Sequence, residues 1–415
     1  MKLAMQTHTQ VLLHVATCAV VATTAPVRLD AQSVRDSAGV RVVVSAKPAW
    51  TAANQLRLAA TPKVLIGDRT EDAYLLSGVR AATRLSDGRI VIANNGSGEL
   101  RFYDAGGVHL KSVGKKGDGP GDFRSILGMT RLAGDTIAVL HENTVLSLFT
   151  STGGFIKRTR AFGADIRATG VSTGAILTLN GGLRVLLAVP MMPPTGSVGA
   201  YSDVLALHTI VNVNDSVVRE IGRLPFMEAI TENTGPGKPW LGAEEVSFST
   251  GAKFYLGYGK EYSIRRYSSR GDLELVMHRN WTPTAITAND KKLFADEWTV
   301  RWNRKPAAAD SVRNDLLDDR YAKSLPAFSA LIVDRTGKVW VRSPKAIDGA
   351  VAGSLNDYSI GPSTWSVFAV DGRWLGDVTM PARFSPTEIT ADYVLGIARD
   401  DDGVQTIVQY ALGAR

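Results

Sequence analysis

Ser86-Asp87-Gly88-Arg89-Ile90-Val91-Ile92-Ala93, then Leu100-Arg101-Phe102-Tyr103-Asp104, then Ala105-Gly106-Gly107, set the reading of this chain. Asp-Gly and Gly-Gly pairs mark tight turns, where the backbone visits φ > 0. Between them lie two short apolar runs of strand length, the second ending in aromatics. The unit returns as Gly134-Asp135-Thr136-Ile137-Ala138-Val139, Leu146-Ser147-Leu148-Phe149 and Thr152-Gly153-Gly154, with Asp135 48 positions after Asp87. That period is about one blade of a β-propeller.

Looser copies follow. A worn one is Asn180-Gly181-Gly182-Leu183-Arg184-Val185-Leu186-Leu187 with Val204-Leu205-Ala206-Leu207. Another joins Thr250-Gly251-Ala252-Lys253-Phe254-Tyr255-Leu256 to Tyr262–Tyr267 and Arg270-Gly271-Asp272. A third joins Asp334-Arg335-Thr336-Gly337-Lys338-Val339-Trp340-Val341 to Trp365–Val370 and Asp371-Gly372-Arg373. The last pairs Asp392–Ile397 with Thr406–Tyr410. A small antiparallel sheet cannot bury both faces alone, and radial stacking of such sheets does so while leaving short edges. A β-sandwich does not explain six copies, and a β-helix has shorter repeats. The expected fold is all-β, a six-bladed β-propeller over residues 62–415 with a short helical insert.

The final copy runs to Arg415 without a fourth strand, and the N-terminal side can supply it. Pro62-Lys63-Val64-Leu65-Ile66-Gly67 shares an apolar-then-Gly pattern with Ser112-Val113-Gly114. Residues 63–66 are therefore expected as the outer strand of the last blade, tying the ring shut. The insert, about 288–324, has helical composition in Asn289–Trp298 and Asp310–Asp319, split by Pro306 and ended by Pro326. Asn289 or Asp290 reads as its N-cap.

Residues 1–31 read as a secretory signal: Lys2, an apolar run Val11–Ala22, then small residues, with cleavage after Ala25 or, preferably, Ala31. Residues 32–61 read as an N-terminal extension. The single cysteine, Cys18, lies within the signal, and a lipoprotein at Cys18 is the less favoured alternative because Val15-Ala16-Thr17 is a poor lipobox. The expected compartment is periplasmic or extracellular. The formal charge is +7 in 415 residues, with 40 glycines and a 45% hydrophobic fraction. Basic residues are scattered rather than interleaved with aromatics, so no nucleic-acid partner is expected. No transmembrane segment is expected, and the chain is expected to be a monomer.

Gly117-Asp118-Gly119-Pro120-Gly121-Asp122-Phe123 resembles the G-x-G-P-G-[ED]-F signature of bacterial secreted six-bladed β-propeller proteins, relatives of the NHL-repeat propellers. The resemblance runs from about Val40 to the end and takes in Leu85–Gly88 and Tyr103–Gly107. It implies the fold and export. The NHL-type proline after the phenylalanine is missing, and no ligand residue is carried over from the family.

No compact chemical motif accompanies the repeat. Gly114-Lys115-Lys116 lacks the Ser or Thr of a phosphate-binding loop. His109, His141, His208 and His278 come from different copies without metal-ligand spacing, so no metal or other cofactor is expected. The favoured function is an exported, non-catalytic binding or scaffold propeller for a small molecule, glycan or protein. The alternative is a propeller enzyme, a metal-dependent lactonase-like hydrolase or a lyase, with its site at the channel mouth. Loops on one rim carry varied polar and aromatic residues, as a binding surface requires. On this register they are Asn94, Asn95, Lys115, Lys116, Asp118, Arg124, His141, Glu142, Asn143, Tyr258, Lys260, Glu261, Arg342, Arg399 and Asp400. The opposite rim carries plain turns such as Asp87-Gly88 and Asp371-Gly372.

Overall fold

The computed structural model describes residues 32–142, 145–160, 172–179, 182–191, 196–213, 217–233, 235–302, 306–351 and 358–414. The signal segment 1–31 with Cys18, the candidate Asn143, and the Asn180-Gly181 turn lie outside the described residues.

Four short strands come first: β1 (Gln32–Ser37), β2 (Val40–Ser45), β3 (Leu56–Leu58) and β4 (Val64–Ile66). The first sheet then holds β5 (Val79–Arg84), β6 (Ile90–Asn94), β7 (Glu99–Tyr103) and β8 (His109–Val113). The second holds β9 (Ile126–Arg131), β10 (Ile137–His141), β11 (Val145–Phe149) and β12 (Phe155–Arg160). The third holds β13 (Ser172–Leu179), β14 (Gly182–Met191), β15 (Tyr201–Asn212), β16 (Val217–Glu232) and β17 (Gly235–Gly237). The fourth holds β18 (Glu245–Ser249), β19 (Lys253–Tyr258), β20 (Ser263–Ser268) and β21 (Leu273–Arg279). Helices α1 (Ala288–Trp302) and α2 (Ala309–Asp318) follow. The fifth sheet holds β22 (Ala330–Val333), β23 (Val339–Arg342), β24 (Ser363–Phe368) and β25 (Trp374–Met380). The sixth holds β26 (Phe384–Ile389), β27 (Tyr393–Arg399) and β28 (Gln405–Ala414).

Each sheet buries its faces against its neighbours. Leu85, Phe102, Phe123 and Phe149 form the core between the first and second sheets. Leu187 and Val211 with Leu140 join the second to the third. Leu186, Phe254 and Tyr267 join the third to the fourth. Tyr262, Met277, Phe328 and Phe368 join the fourth to the fifth. Trp340, Trp365, Phe384 and Val408 join the fifth to the sixth. Ile66, Ile90, Tyr103 and Ile407 join the sixth back to the first. The leading strands sit innermost, with β5 meeting β9 and β26, and β22 meeting β18 and β26.

The turns quoted from the sequence explain this stacking. Asp104 Oδ1 accepts from Gly106 N at 2.9 Å and Val108 N at 2.8 Å, which folds the turn onto itself. Gly107 has φ +91, and a Cβ there would stand 3.0 Å from Ile66 Cγ1 in the sixth sheet. The equivalent Gly153 has φ +77, and its Cβ would stand 2.8 Å from Val113 Cγ2 in the first sheet. Gly271 and Gly372 approach the outer strands of the third and fourth sheets in the same way. Glycine recurs at these four turns because each presses on a strand of the preceding sheet.

Val64, Leu65 and Ile66 of β4 pair with Gln409, Val408 and Ile407 of β28, so a strand from the N-terminal side completes the sheet of the C-terminus. Residues 32–61 are not set apart from the sheets. The β1–β2 hairpin adds to the fourth sheet, β2 running parallel to β21, because Val43 fills the core there. β3 pairs with the end of β28. The worn copy also differs from its sequence reading. Its strands extend well past Leu183–Leu187 and Val204–Leu207, and β16 spans 16 residues across three register shifts with β15. Bulges let a long strand keep pairing while its apolar pattern slips, which hid the strand from periodicity.

The insert is helical, but its cap is neither Asn289 nor Asp290. Thr287 Oγ1 accepts from Asp290 N at 3.2 Å, and the Asp290 carboxylate accepts from Thr287 N at 2.8 Å, a reciprocal capping box. Phe294 and Leu316 of the two helices pack with Tyr321, Trp240 and Leu241.

Candidate functional site

The rim at the starts of β18 and β22 and the end of β23 holds a cavity of about 400 Å³. Trp240, Leu241, Val246 and Phe328 give it apolar walls, and Ser329, Arg342 and Asp348 give it polar ones. Its outer wall is tied to the insert. The Trp240 ring packs at a tilt 5.1 Å from Phe294, its Nε1 donates to Asp319 Oδ2 at 2.7 Å, and its backbone N donates to Arg320 O at 2.8 Å. The 3-10 turn Ala346–Ala350 closes another side, held where Trp302 Nε1 donates to Ala350 O at 2.5 Å.

Arg342 is 2% exposed and Asp348 4% exposed, so both charges stand almost out of water. Arg342 Nε donates to Ser329 Oγ at 2.9 Å. Asp348 accepts from Ser359 Oγ at 2.9 Å and Ile360 N at 3.0 Å. Burial nevertheless pushes the Asp348 carboxyl above the usual carboxylate range, against the pull of those donors and of Arg342. Beside the cavity, Gly259 N–H-bearing backbone lies between Tyr258 and Lys260, and a Cβ on Gly259 would stand 2.7 Å from Pro326 Cβ. Tyr258 OH donates to Asp203 Oδ1 at 2.6 Å, and Lys260 Nζ bridges Asp203 at 2.6 Å and Glu228 at 3.2 Å. Burial pushes the Tyr258 hydroxyl up, and the bond to Asp203 adds to it.

The other rim candidates occupy separate places. Asn94 Oδ1 accepts from Ser77 N at 2.8 Å and its Nδ2 donates to Ser97 Oγ at 2.8 Å, holding a turn. Asn95 Oδ1 accepts from Ile126 N at 2.7 Å, joining the first sheet to the second. Lys115 is exposed, its carbonyl accepting from Phe123 N at 3.0 Å. Lys116 Nζ donates to Arg124 O at 3.2 Å. Asp118 pairs with Arg124 in the open, and that guanidinium lowers the Asp118 pKa. His141 is fully buried, its Nε2 2.9 Å from Ser147 Oγ and its Nδ1 3.5 Å from Glu142. Glu261 faces Arg265 at 3.6 Å, Arg399 lies 4.4 Å over the Tyr358 ring, and Asp400 accepts from Val404 N at 2.8 Å within a turn. The structure thus brings Tyr258, Lys260, Glu261 and Arg342 to one region, gathers Asn95, Lys116, Asp118, Arg124 and Glu142 where the first sheet joins the second, and leaves Arg399 and Asp400 elsewhere.

The Gly117–Phe123 loop is a connector. Arg158 donates to the carbonyls of Asp118, Gly119 and Asp122 at 3.0, 2.8 and 2.9 Å, and Phe123 is fully buried. Sequence reasoning missed Trp240, Phe328, Asp348, Asp203 and Glu228. None stands in a motif, and only the packing of sheets against the insert gathers them.

The opposite rim is not plain. The ends of β5, β9, β18, β22 and β26 surround a cleft of about 770 Å³ lined by Thr83, Arg131, Lys253, Arg335 and Glu388 among others. Every one of these charges is paired: Arg131 with Asp135 at 3.1 Å, Lys253 with Glu274 at 2.5 Å, and Arg335 with Glu388 at 2.6 Å. Among the described residues no three His, Cys, Asp or Glu side chains gather as a metal site. Among them, too, no helix is long and apolar enough to cross a membrane.

The fold is all-β and propeller-like. A member of the DUF4221 family from Bacteroides vulgatus superposes with a TM-score of 0.52 at 10% identity, over 88% of this chain and 100% of that one. A Bacteroides fragilis protein described as exported gives 0.48 at 14% identity, over 90% and 99% of the two chains. Virginiamycin B lyase from Staphylococcus aureus gives 0.39 at 9% identity, over 87% and 100%. At these identities the likeness is one of fold. No protein-family model matches the sequence, and no curated protein matches it.

Proposed function

We propose that the chain is an exported, non-catalytic binding protein, that its six sheets are the blades of one six-bladed propeller spanning residues 62–415, and that the rim cavity beside β18 and β22 is its binding site. The observation that carries this reading is a cavity of about 400 Å³ with apolar walls and two nearly buried charges, Arg342 and Asp348, walled by the insert. Small-molecule sites have this composition: an apolar enclosure with a few convergent polar groups that set orientation. A rigid ring supplies the floor and variable loops supply the walls. Tyr258 and Lys260 stiffen the adjoining loop through Asp203. The remaining rim candidates serve the scaffold or the solvated surface.

The test uses neutral apolar probes, indole and toluene, with the full chain and with Val246→Phe, which fills the cavity without touching a charge. The expected result is a rise in melting temperature with the probes that disappears in the variant. A shift of equal size in both proteins would place binding elsewhere and reject the site.

A further inference from the structure

We propose that the cleft on the opposite rim is a second binding site, and that it takes a neutral saccharide. It lies at the other ends of β18 and β22 from the rim cavity and does not depend on that reading. Its volume of about 770 Å³ is that of a small-molecule site. Strands from five of the six sheets reach it, so one ligand would touch all five.

Charge balance sets the class of ligand. The cations lining the cleft are Arg131, Lys253, Arg266 and Arg335, and the lining carboxylates are Asp334 and Glu388. Asp135 pairs with Arg131, and Glu274 pairs with both Lys253 and Arg266, so four cations meet four carboxylates. Each group is held in place. Arg266 Nη1 also donates to Val370 O at 2.7 Å, and Asp334 accepts from Lys338 N at 2.9 Å and Trp340 Nε1 at 3.0 Å. An ionic ligand would have to draw a side chain from its partner, with no net charge in the cleft to offset the loss. A wholly apolar ligand would strip water from the pairs and return no hydrogen bond. A hydroxyl both donates and accepts. It can bond to the outer edge of a pair and leave the pair intact. Those edges are open, since the Arg335 and Lys253 side chains are 36% and 39% exposed. Each pair sets donor and acceptor side by side, which suits a hydroxyl better than a peptide, whose N–H and C=O are separate groups. Between the pairs, Met129, Phe248, Ile332 and Val370 give apolar surface. A sugar ring matches both features, with hydroxyls at its edge and C–H groups on its faces.

The test applies the full chain, Ala252→Trp, Val370→Trp and Val246→Phe to an array of neutral, acidic and amino-bearing glycans, with uncharged short peptides as a separate arm. Ala252 and Val370 line the cleft and are exposed, Val370 at 51%, so an indole at either fills the cleft without replacing a charged group. We expect neutral glycans to bind at least about tenfold more tightly than acidic or amino-bearing ones. Raising NaCl from about 0.1 to 0.5 M should change that binding by less than about twofold. Ala252→Trp, or Val370→Trp where the first does not fold, should weaken it at least about tenfold. Val246→Phe, in the rim cavity, should leave it unchanged. Full binding by a folded Trp variant, or loss in Val246→Phe, would overturn the cleft as the site. Preference for acidic glycans that salt abolishes would overturn the neutral assignment. Binding of peptides without glycans would overturn it in favour of a peptide ligand, and binding of nothing in either arm would overturn it outright. Inhibition of an array signal by the free disaccharide would mark the ligand as a soluble sugar, and inhibition by the polymer alone would mark it as a surface polysaccharide; either result upholds the assignment.

Discussion

Arg335 Nη2 donates to Glu388 Oε2 at 2.6 Å across the boundary between the fifth and sixth sheets. Thr83 Oγ1, from the first sheet, donates to the same oxygen at 2.5 Å, and Tyr393 OH donates to Oε1 at 2.5 Å. One carboxylate, only 6% exposed, therefore joins the innermost strands of two sheets to a turn of a third. Removing it leaves a hydroxyl, a phenol and a guanidinium without their acceptor. Glu388→Ala is expected to cost about 2–3 kcal/mol, read from urea unfolding. An unchanged midpoint would show that the clamp contributes nothing.

Ring closure through β4 gives a second expectation. Ile66 is fully buried between the sixth and first sheets. Ile66→Ala should cost about 2–5 kcal/mol. A chain lacking everything through Gly67 exposes the edge of β28 and should aggregate or melt without cooperativity. A truncated chain that melts like the longer one would mean that the strand is dispensable.

Stability should fall on mild acidification. Burial lowers the pKa of His141 below the ordinary 6.5, with Glu142 opposing and Arg158 assisting, and burial likewise lowers His278. The unfolded chain then binds protons that the folded chain refuses. The stabilisation is complete above about pH 6.5 and is lost as pH falls toward the folded-state values. The double variant His141→Gln, His278→Gln should show a shallower loss of melting temperature from about pH 7.5 to 5.5. An identical slope in both proteins would assign the effect to other groups.

The insert should be part of the cavity wall in a measurable way. Phe294 is fully buried against Trp240 and against Tyr321 at 5.6 Å. Phe294→Ala should cost about 3–5 kcal/mol and release residues 238–242. Hydrogen exchange at the Trp240 and Gly242 amides, which donate to Arg320 O and Pro239 O, should quicken while exchange at β6 and β10 does not. Unchanged protection at 238–242 would make the insert a decoration that the cavity does not need.

Export makes a simple prediction about the chain end. If residues 1–31 are a signal, protein recovered from outside the cytoplasm should begin near Gln32, as N-terminal sequencing would reveal. Recovery with Met1 intact would count against it.

Several elements were legible because their causes are local. Asp87-Gly88, Gly106-Gly107 and Gly153-Gly154 named the turns, and Ile90–Ala93 and Leu146–Phe149 named strands between them. The match of Ile66-Gly67 to Val113-Gly114 pointed to the strand that pairs with β28. The β1–β2 hairpin was not legible as a partner of β21, because nothing near Val43 in sequence says which distant edge its apolar side will cover. The cap at Thr287 was missed for a smaller reason: Asn289 and Asp290 also have capping side chains, and backbone direction chose between them.

The sequence by itself determined that this protein is a repeat of small sheets, because a turn is written in the residues that make it and a strand in its own alternation. Tertiary structure alone decided that Trp240, Phe328, Arg342 and Asp348 share one cavity. It also decided that Glu388 meets Thr83 and Arg335 across three sheets. Those residues are separated by tens to hundreds of positions, and each looks ordinary among its neighbours. A binding site of this kind is a property of how sheets stack and where an insert comes to rest, and long-range packing free energy, which no short stretch of sequence carries, sets both.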